Sequence, residues 1–116
     1  MPSSIPQVKP GDVVYVNFIF TSQADSKRRP VVILSVMEYH VSRLDVIAMP
    51  LTTQPPNYFG DAALTDWQAA GLPVKSNLKA VLQTIPRDTI EKVAGSLVPA
   101  DLELARNAVR TIFGLT

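Results

Sequence analysis

The sequence predicts a mainly β fold with one C-terminal helix, built as a small, strongly bent antiparallel sheet or partly open barrel. Short runs rich in β-branched and aromatic residues recur along the chain. These runs do not alternate with helical segments, so a parallel sheet of βαβ units is not expected. From Pro99 onward the apolar residues recur at helical spacing, which indicates that the chain ends in a helix packed on the sheet.

Composition narrows the class of protein. The 116 residues fit one domain, residues 1–116, in which residues 1–10, with three Pro and two Ser, form an irregular arm. A content of 47% apolar and 18% charged residues argues against disorder. The absence of Cys excludes disulfide scaffolds, cysteine metal sites and thiol catalysis. The single His argues against histidine-rich metal sites. No apolar run is long enough to cross a bilayer and no signal peptide precedes the domain, so we expect a soluble, cytoplasmic protein.

The first half of the chain contains three predicted strands, at residues 13–20, 31–35 and 44–51. One parity of the first strand is wholly apolar and is expected to face a core: Val14, Val16, Phe18 and Phe20. Residues 21–29 are polar and without period, which favours a loop, and residues 38–43 favour a turn. Pro50 indicates either a sheet edge or a bend where the third strand leaves the sheet.

The second half begins with a short predicted helix at residues 62–71, with Thr65 or Asp66 as its cap and Gly71 at its end. Strand character returns at residues 78–85 and 89–97. The terminal helix starts at Pro99 and is capped by Gly114. Its apolar stripe consists of Leu102, Ala105, Val109 and Ile112. That stripe is expected to face the core and also to cover a dimer seam.

Three segments together resemble one known family. They are residues 11–18 (GDVVYVNF), 27–35 (KRRPVVILS) and 49–54 (MPLTTQ), in this order and spacing. They resemble the MazF/PemK toxin endoribonucleases of bacterial toxin–antitoxin pairs, and the likeness runs from about residue 10 to residue 115. The resemblance implies an SH3-like barrel of the MazF/PemK/CcdB type, a homodimer and a cognate antitoxin that blocks the RNA groove. It also implies cleavage of single-stranded RNA without metal or cofactor.

Such cleavage uses the neighbouring 2′-hydroxyl to attack the phosphorus, so the protein must bind a phosphate and stabilise additional charge. Arg29 matches the Arg of the family's Arg-Pro-Val-Val motif, and a guanidinium that stays protonated can hold two phosphate oxygens. Thr52 matches the first Thr of the family's Pro-x-Thr-Thr segment and offers a hydroxyl donor. The alternatives are a surface or dimer-contact arginine, and a threonine that bonds its own backbone.

The groups that move protons are less directly indicated. Many family members carry a Glu in the loop before the Arg, whereas here Asp25 is the only carboxylate of residues 22–26. Asp25 is therefore a catalytic candidate, with a solvated loop carboxylate as the alternative. Residues 81–84 (VLQT) lack the Arg and Asp that the PemK branch places there. His40 suits proton transfer by its pKa but lies in a turn that the family places away from the site.

Further contacts to RNA are expected around these positions. Lys27 and Arg28 form, with Arg29, a basic cluster that would attract RNA in a salt-dependent way, or else make the loop soluble. Thr53 and Gln54 are expected to contact a base edge or the backbone. The aromatic rings of Tyr58 and Phe59 can stack on a base, although packing in a core or lid is their commoner role.

Three functions follow from these observations. The first is a toxin of a toxin–antitoxin pair that acts as a sequence-specific, metal-independent endoribonuclease, an mRNA interferase. The second is a non-catalytic toxin or binding module of the same fold that binds RNA, DNA gyrase or an antitoxin without cleavage, favoured by Ala24 where the family has Glu. The third is a ligand-free scaffold. The combination of the Arg29 and Thr52 motifs favours the first.

Overall fold

A computed structural model describes residues 7–18 and 27–115, without the side chains of Phe18 and Lys27. In chain order the elements are β1 (Asp12–Phe18), β2 (Lys27–Ile33), α1 (Met37–Arg43), β3 (Asp45–Thr52), β4 (Ala62–Ala63), β5 (Asn77–Leu78), β6 (Gln83–Pro86), a 3-10 turn (Arg87–Thr89), β7 (Ile90–Ser96) and α2 (Pro99–Phe113). None of the helices in these residues has the length and apolar character needed to cross a bilayer.

The strands form one antiparallel sheet with the order β4–β5–β3–β2–β1–β7, and β6 pairs with β3 beside β5. The strands β6 and β7 lie on opposite flanks of β3–β2–β1, yet Ile85 of β6 and Ile90 of β7 pack in the same buried cluster. The sheet must curl for this to happen. The prediction of a mainly β fold with a strongly bent antiparallel sheet and a C-terminal helix is confirmed.

Both faces of the central strands are apolar. The cluster inside the curled sheet consists of Val8, Val14, Val16, Val31, Ile33, Val46, Ala48, Ile85 and Ile90. The cluster on the other face includes Val13, Val32, Met49, Leu51, Leu64, Ala70, Leu72, Leu78, Leu97, Ala105 and Ala108. Because successive side chains point to opposite faces, a strand buried on both sides needs an apolar residue at every position, as β2 has after Pro30.

The hairpin of β1 and β2 extends further than the sequence suggested. The predicted loop at residues 21–29 is wrong for its last three residues, since β2 begins at Lys27. Lys27, Arg28 and Arg29 pair with Phe18, Asn17 and Val16 of β1. Backbone hydrogen bonds between strands do not require apolar side chains, so the polar composition of residues 27–29 gave no indication of this pairing. Residues 19–26, which include Phe20 and Asp25, lie outside the described residues.

Pro50 occupies an interior strand, so the expectation of a sheet edge is wrong. It pairs with Val31 of β2 on one side. On its other side β3 changes partner: β6 pairs with it as far as Ala48, and β5 pairs with it from Leu51. The missing N–H of Pro50 therefore falls between two partners and interrupts neither ladder.

Residues 37–43 form the helix α1 and not the predicted turn. The helix has no apolar stripe, since His40 is its buried residue while Met37 and Val41 are exposed. The side chain of His40 is fixed by a hydrogen bond of 2.7 Å between Nε2 and the Ser35 hydroxyl. The element was missed because one tertiary contact, and not apolar periodicity, holds it on the sheet.

Residues 62–71 do not form the predicted helix. They contain β4 and then a series of turns. The carboxylate of Asp101, wholly buried at the start of α2, accepts hydrogen bonds from the amide and hydroxyl of Thr65 and from the amide of Asp66. The Thr65 hydroxyl therefore satisfies a distant buried carboxylate, while the Asp66 carboxylate accepts a hydrogen bond from the amide of Ala69. These bonds stabilise an irregular backbone.

The terminal helix is confirmed as α2, and Gly114 ends it with a φ of 68°. The fully buried positions are Asp101, Ala105 and Ala108. The predicted stripe faces the core: Ala105 is buried, and the half-buried Leu102 and Val109 pack against the same cluster. Leu102 and Val109 also border, with Leu82, an open groove of about 490 Å³. Small residues at the buried positions bring α2 close to the sheet, and its larger apolar residues stay accessible.

Ala70 and Gly71 cross β7 so closely that their backbone is in contact with the backbone of Ala94 and Gly95. A Cβ added at Gly71 would lie 2.2 Å from the carbonyl oxygen of Ala94, and one at Gly95 would lie 2.6 Å from that of Ala70. Gly71 also has a φ of 84°. Only residues without a side chain allow this contact, which fixes where the chain beyond Gly71 lies.

Asp12 connects the residues before β1 to β7. Its carboxylate accepts hydrogen bonds from Lys9 and from the Ser96 hydroxyl, the latter at 2.6 Å. Burial acts to raise the pKa of Asp12, but these hydrogen bonds outweigh it and hold the pKa below its ordinary value of 3.8. The stability that this group contributes is present above about pH 4 and is lost as the pH falls further.

Replacing Gly71 with Ala tests the close crossing. The change adds both a strained positive φ and a clash with the Ala94 carbonyl, whereas Gly114→Ala adds only the strain, because nothing lies within 4 Å of its Cβ position. We expect Gly71→Ala to lower the free energy of unfolding by at least about 1 kcal/mol more than Gly114→Ala does. Urea denaturation of both variants measures this difference, and equal losses would contradict the crossing.

The stability of the protein should depend on the charge of His40, the chain's single histidine. Burial, together with the nearby charge of Arg87, lowers the pKa of His40 below its ordinary value of 6.5. Protonation therefore favours the unfolded chain, and the free energy of unfolding should fall as the pH drops below about 6.5. Denaturation at pH 7.5 and 5.5 should show this fall in the wild type and a smaller one in His40→Gln. Equal pH dependence in the two proteins would refute the assignment.

Candidate functional site

A groove of about 370 Å³ lies where β1, β2 and β3 meet the chain that follows Gly71. The hairpin contributes Tyr15, Arg28, Arg29 and Pro30, the end of β3 contributes Leu51, Thr52, Thr53 and Gln54, and the facing segment contributes Leu72, Pro73, Val74 and Ser76. Five residues predicted from sequence to act on RNA therefore border one cavity: Arg28, Arg29, Thr52, Thr53 and Gln54.

Arg29 and Thr52 are brought together by strand register. Arg29 is anchored in β2, where it pairs with Val16. The β2–β3 ladder pairs Ile33 with Ala48 and Val31 with Pro50, and continuing this register by two residues sets Arg29 opposite Thr52. Residues directly opposite in an antiparallel pair lie side by side. Arg29 is exposed and Thr52 is half-buried, so both side chains can reach a ligand in the groove.

The Thr52 hydroxyl is oriented by its own backbone. Its Oγ1 accepts a hydrogen bond of 3.1 Å from the amide of Gln54. A hydroxyl that accepts in this way can still donate its proton. The local bond and a contact to a ligand are therefore compatible, and the first holds the hydroxyl in position for the second.

Arg28 lies in the groove in a fixed position. Its Nε donates to Oε1 of Glu91 at 3.0 Å, and its guanidinium lies 5.5 Å from the centre of the Tyr15 ring. Both partners of this ion pair are partly exposed, so its contribution to stability is small. Its effect is to hold a second cation at the border of the groove that Arg29 also lines, with few conformations to lose on binding.

The end of β3 is held by the neighbouring strand. Thr53 and Gln54 are exposed, and the Gln54 carbonyl accepts a hydrogen bond of 2.8 Å from Nδ2 of Asn77. Lys27 starts β2, but its side chain, like the whole of Asp25, lies outside the described residues. The assignments of these two side chains stay predictions.

Sequence reasoning missed Tyr15 and the wall formed by residues 72–76. Tyr15 lies on the side of the first predicted strand opposite to its apolar face, so the sequence predicts that it faces solvent. Residues 72–76 carry one charged residue, Lys75, and no motif that indicates a binding site. The available signal was the glycine pair at positions 71 and 95, whose contact brings this segment across β7 to the groove. That signal becomes visible only once the two segments are known to cross.

Other residues noted in the sequence do not line this groove. His40 is buried beneath α1, as expected for a residue away from the site. Trp67 packs against the buried cluster that contains Met49. Tyr58 and Phe59 are 82% and 79% exposed on the loop after β3, which leaves their rings accessible without placing them in the groove.

Comparisons with known proteins agree with this architecture. The family model described as "PemK-like, MazF-like toxin of type II toxin-antitoxin system" matches residues 9–113. No curated protein matches the chain.

Similar solved structures include an endoribonuclease from a mycobacterial species, with a TM-score of 0.74, 20% identity and 97% of both chains covered. The MazE–MazF complex of Deinococcus radiodurans contains a chain with a TM-score of 0.77 and 22% identity, covering 96% of this chain and 100% of that one. A mycobacterial endoribonuclease in complex with its cognate antitoxin gives a TM-score of 0.74 at 21% identity, with 94% and 97% covered. The match of the family model over nearly the whole length shows that this chain belongs to the PemK-like, MazF-like toxins of type II toxin–antitoxin systems.

Proposed function

We propose that this toxin is an endoribonuclease that cleaves single-stranded RNA, with Arg29 and Thr52 binding the phosphate at the cleaved bond. The observation that carries the proposal is that these two residues lie on the neighbouring strands β2 and β3, two residues beyond the last pair of their ladder, and border one open groove. Support also comes from the similar structures named endoribonucleases. A binding module would need no such pairing of a guanidinium and a hydroxyl.

The reaction forms a bond between the 2′-oxygen and phosphorus and breaks the bond between phosphorus and the 5′-oxygen. The products are a 2′,3′-cyclic phosphate and a free 5′-hydroxyl. Arg29 holds two phosphate oxygens and offsets the negative charge that grows on them, while the Thr52 hydroxyl donates to an oxygen of the same group. Positioning and charge stabilisation supply the catalysis, so the proposed reaction requires no metal or cofactor.

Two protons must also move, one away from the 2′-hydroxyl and one to the departing 5′-oxygen. Asp25, the carboxylate of the segment that precedes β2 in the chain, takes the first proton, and a water molecule gives the second to the 5′-oxygen. Lys27 and Arg28 attract the RNA backbone, and Thr53 and Gln54 contact the nucleotides beside the cleaved bond. Asp25→Asn should then lower the cleavage rate without weakening RNA binding.

A cognate antitoxin is the protein partner that the family implies, and we infer that it inhibits by covering the groove. Complexes of MazF with MazE and of an endoribonuclease with its antitoxin are known among the similar structures. The cations Arg28 and Arg29 on the groove wall would favour an acidic antitoxin segment. We place the toxin in the cytoplasm, where its RNA substrate occurs.

We further infer a homodimer that forms through α2. The groove of about 490 Å³ beside this helix is bordered by Leu34, Ile47, Leu82, Leu102, Val109 and Phe113, with Arg106 and Arg110 among them. Phe113 at the end of α2 is 61% exposed. A second copy would bury these residues in a symmetric contact of the kind that stabilises most small dimers.

Purified protein incubated with a long single-stranded RNA in EDTA should produce discrete fragments ending in cyclic phosphate. Arg29→Ala should reduce the cleavage rate about 10²-fold or more, because it removes the charge that stabilises the transition state. Thr52→Val should reduce it about tenfold or more, the effect of one hydrogen bond to a charged oxygen. Gel analysis with end-group chemistry measures both.

Arg43→Ala is the matched control, since Arg43 lies at the opposite end of β3 from Thr52 and should leave cleavage unchanged. An intact transcript with the wild-type protein would refute the endoribonuclease proposal. RNA binding without cleavage would instead establish the non-catalytic alternative.

Phe113→Glu should convert the dimer to a monomer at micromolar concentration, because it places a charge in an apolar contact. Phe59→Glu is the control: it makes the same change at a ring that is 79% exposed and lines neither groove described above. Light scattering after gel filtration measures both masses. A wild-type protein that is monomeric, or a Phe113→Glu variant that stays dimeric, would contradict the assignment to α2.

A further inference from the structure

Beside the groove that contains Arg29 and Thr52 (the first groove) lies another of about 410 Å³ (the second groove), on the far side of Thr53. It is bordered by Thr53, Pro55, Pro56, Ala63, Lys75 and Asn77. No role in the proposed cleavage has been given to it. Its volume is within the range of cavities that hold small ligands, about 300–1,000 Å³.

The two grooves are separated by a thin wall. Ser76 borders the first groove, whereas its neighbours Lys75 and Asn77 border the second. This alternation is that of an extended chain, whose successive side chains point to opposite faces. Thr53 borders both grooves, so the two cavities meet at this residue and a linear ligand can pass from one to the other over it.

Asn77 gives the wall its fixed shape. Its backbone pairs with Thr52, and its side-chain Nδ2 donates to the Gln54 carbonyl at 2.8 Å. Because the donating atom must be the nitrogen, this hydrogen bond fixes which end of the side-chain amide is the oxygen, Oδ1. That Oδ1 is buried and has no hydrogen-bond partner among residues 7–18 and 27–115. A buried acceptor without a donor is unfavourable, so a ligand group that donates to it is favoured.

We propose that the second groove is a nucleotide subsite, which binds the residue of single-stranded RNA next to the one held at Arg29 and Thr52. This inference rests on the proposed endoribonuclease function. The RNA crosses Thr53, the ammonium group of Lys75 neutralises the adjacent phosphate, and the rings of Pro55 and Pro56 contact the base. The exposed cation in a groove continuous with the phosphate-binding one is the arrangement that tracks an RNA backbone.

The test uses RNA oligonucleotides that carry a 2′-deoxy nucleotide at the mapped cleavage position, so that binding is measured without reaction. One oligonucleotide contains only the nucleotides flanking the cleaved bond, and two others are longer by two nucleotides on the 5′ or the 3′ side. With wild-type protein one of the two extensions should tighten binding several-fold. It should also make the slope of log affinity against log salt steeper by about 0.7, the value for one phosphate contact on a single strand.

Lys75→Gln should remove this gain in affinity and in slope, whereas Arg43→Gln, which deletes the same charge at the other end of β3, should retain both. Equal gains in Lys75→Gln and wild type, or no gain from either extension, would overturn the subsite while cleavage by the wild type still supports the proposed function. Wild-type protein that neither binds nor cleaves RNA would overturn both.

Discussion

The antiparallel register between β2 and β3 is the constraint on which the rest of the site depends. Val31 pairs with Pro50 and Ile33 with Ala48, and the side chains of Val31, Ile33 and Ala48 are buried inside the curled sheet. A slip of one residue would exchange the side chains of the two packed faces, which differ in size and shape, so packing on both faces fixes the register. The same register continues toward Arg29 and Thr52, which border one groove, so packing of the core positions the two residues proposed to bind phosphate.

The opposite wall of the groove is built by contacts that are distant in sequence. The backbone crossing at Gly71 and Gly95 fixes where residues 72–76 leave β7. The buried Asp101 carboxylate holds Thr65 and Asp66 and so secures the irregular segment that leads to the crossing. The hydrogen bonds to the buried Asp101 carboxylate are lost if this segment shifts, and the crossing leaves no space for a side chain, so the wall is held in place before any ligand arrives.

Charge and apolar surface are distributed over different parts of the molecule. Arg28 and Arg29 border the groove beside Thr52, and Lys75 lies in the groove beyond Thr53. The accessible apolar residues of α2 border a separate cavity. The basic surface and the apolar surface share no lining residue, so a ligand on one does not cover the other.

Sequence alone determined the strands with continuous apolar runs, the terminal helix from Pro99 to its cap at Gly114, and the candidates Arg29 and Thr52, because periodicity and local motifs are properties of neighbouring residues. Only the tertiary structure decided that residues 62–71 are not helical, that α1 is a helix, and that Tyr15 and residues 72–76 border the groove. The reason is that a buried carboxylate, one histidine contact and a glycine crossing act between segments far apart in the chain, where no local pattern records them.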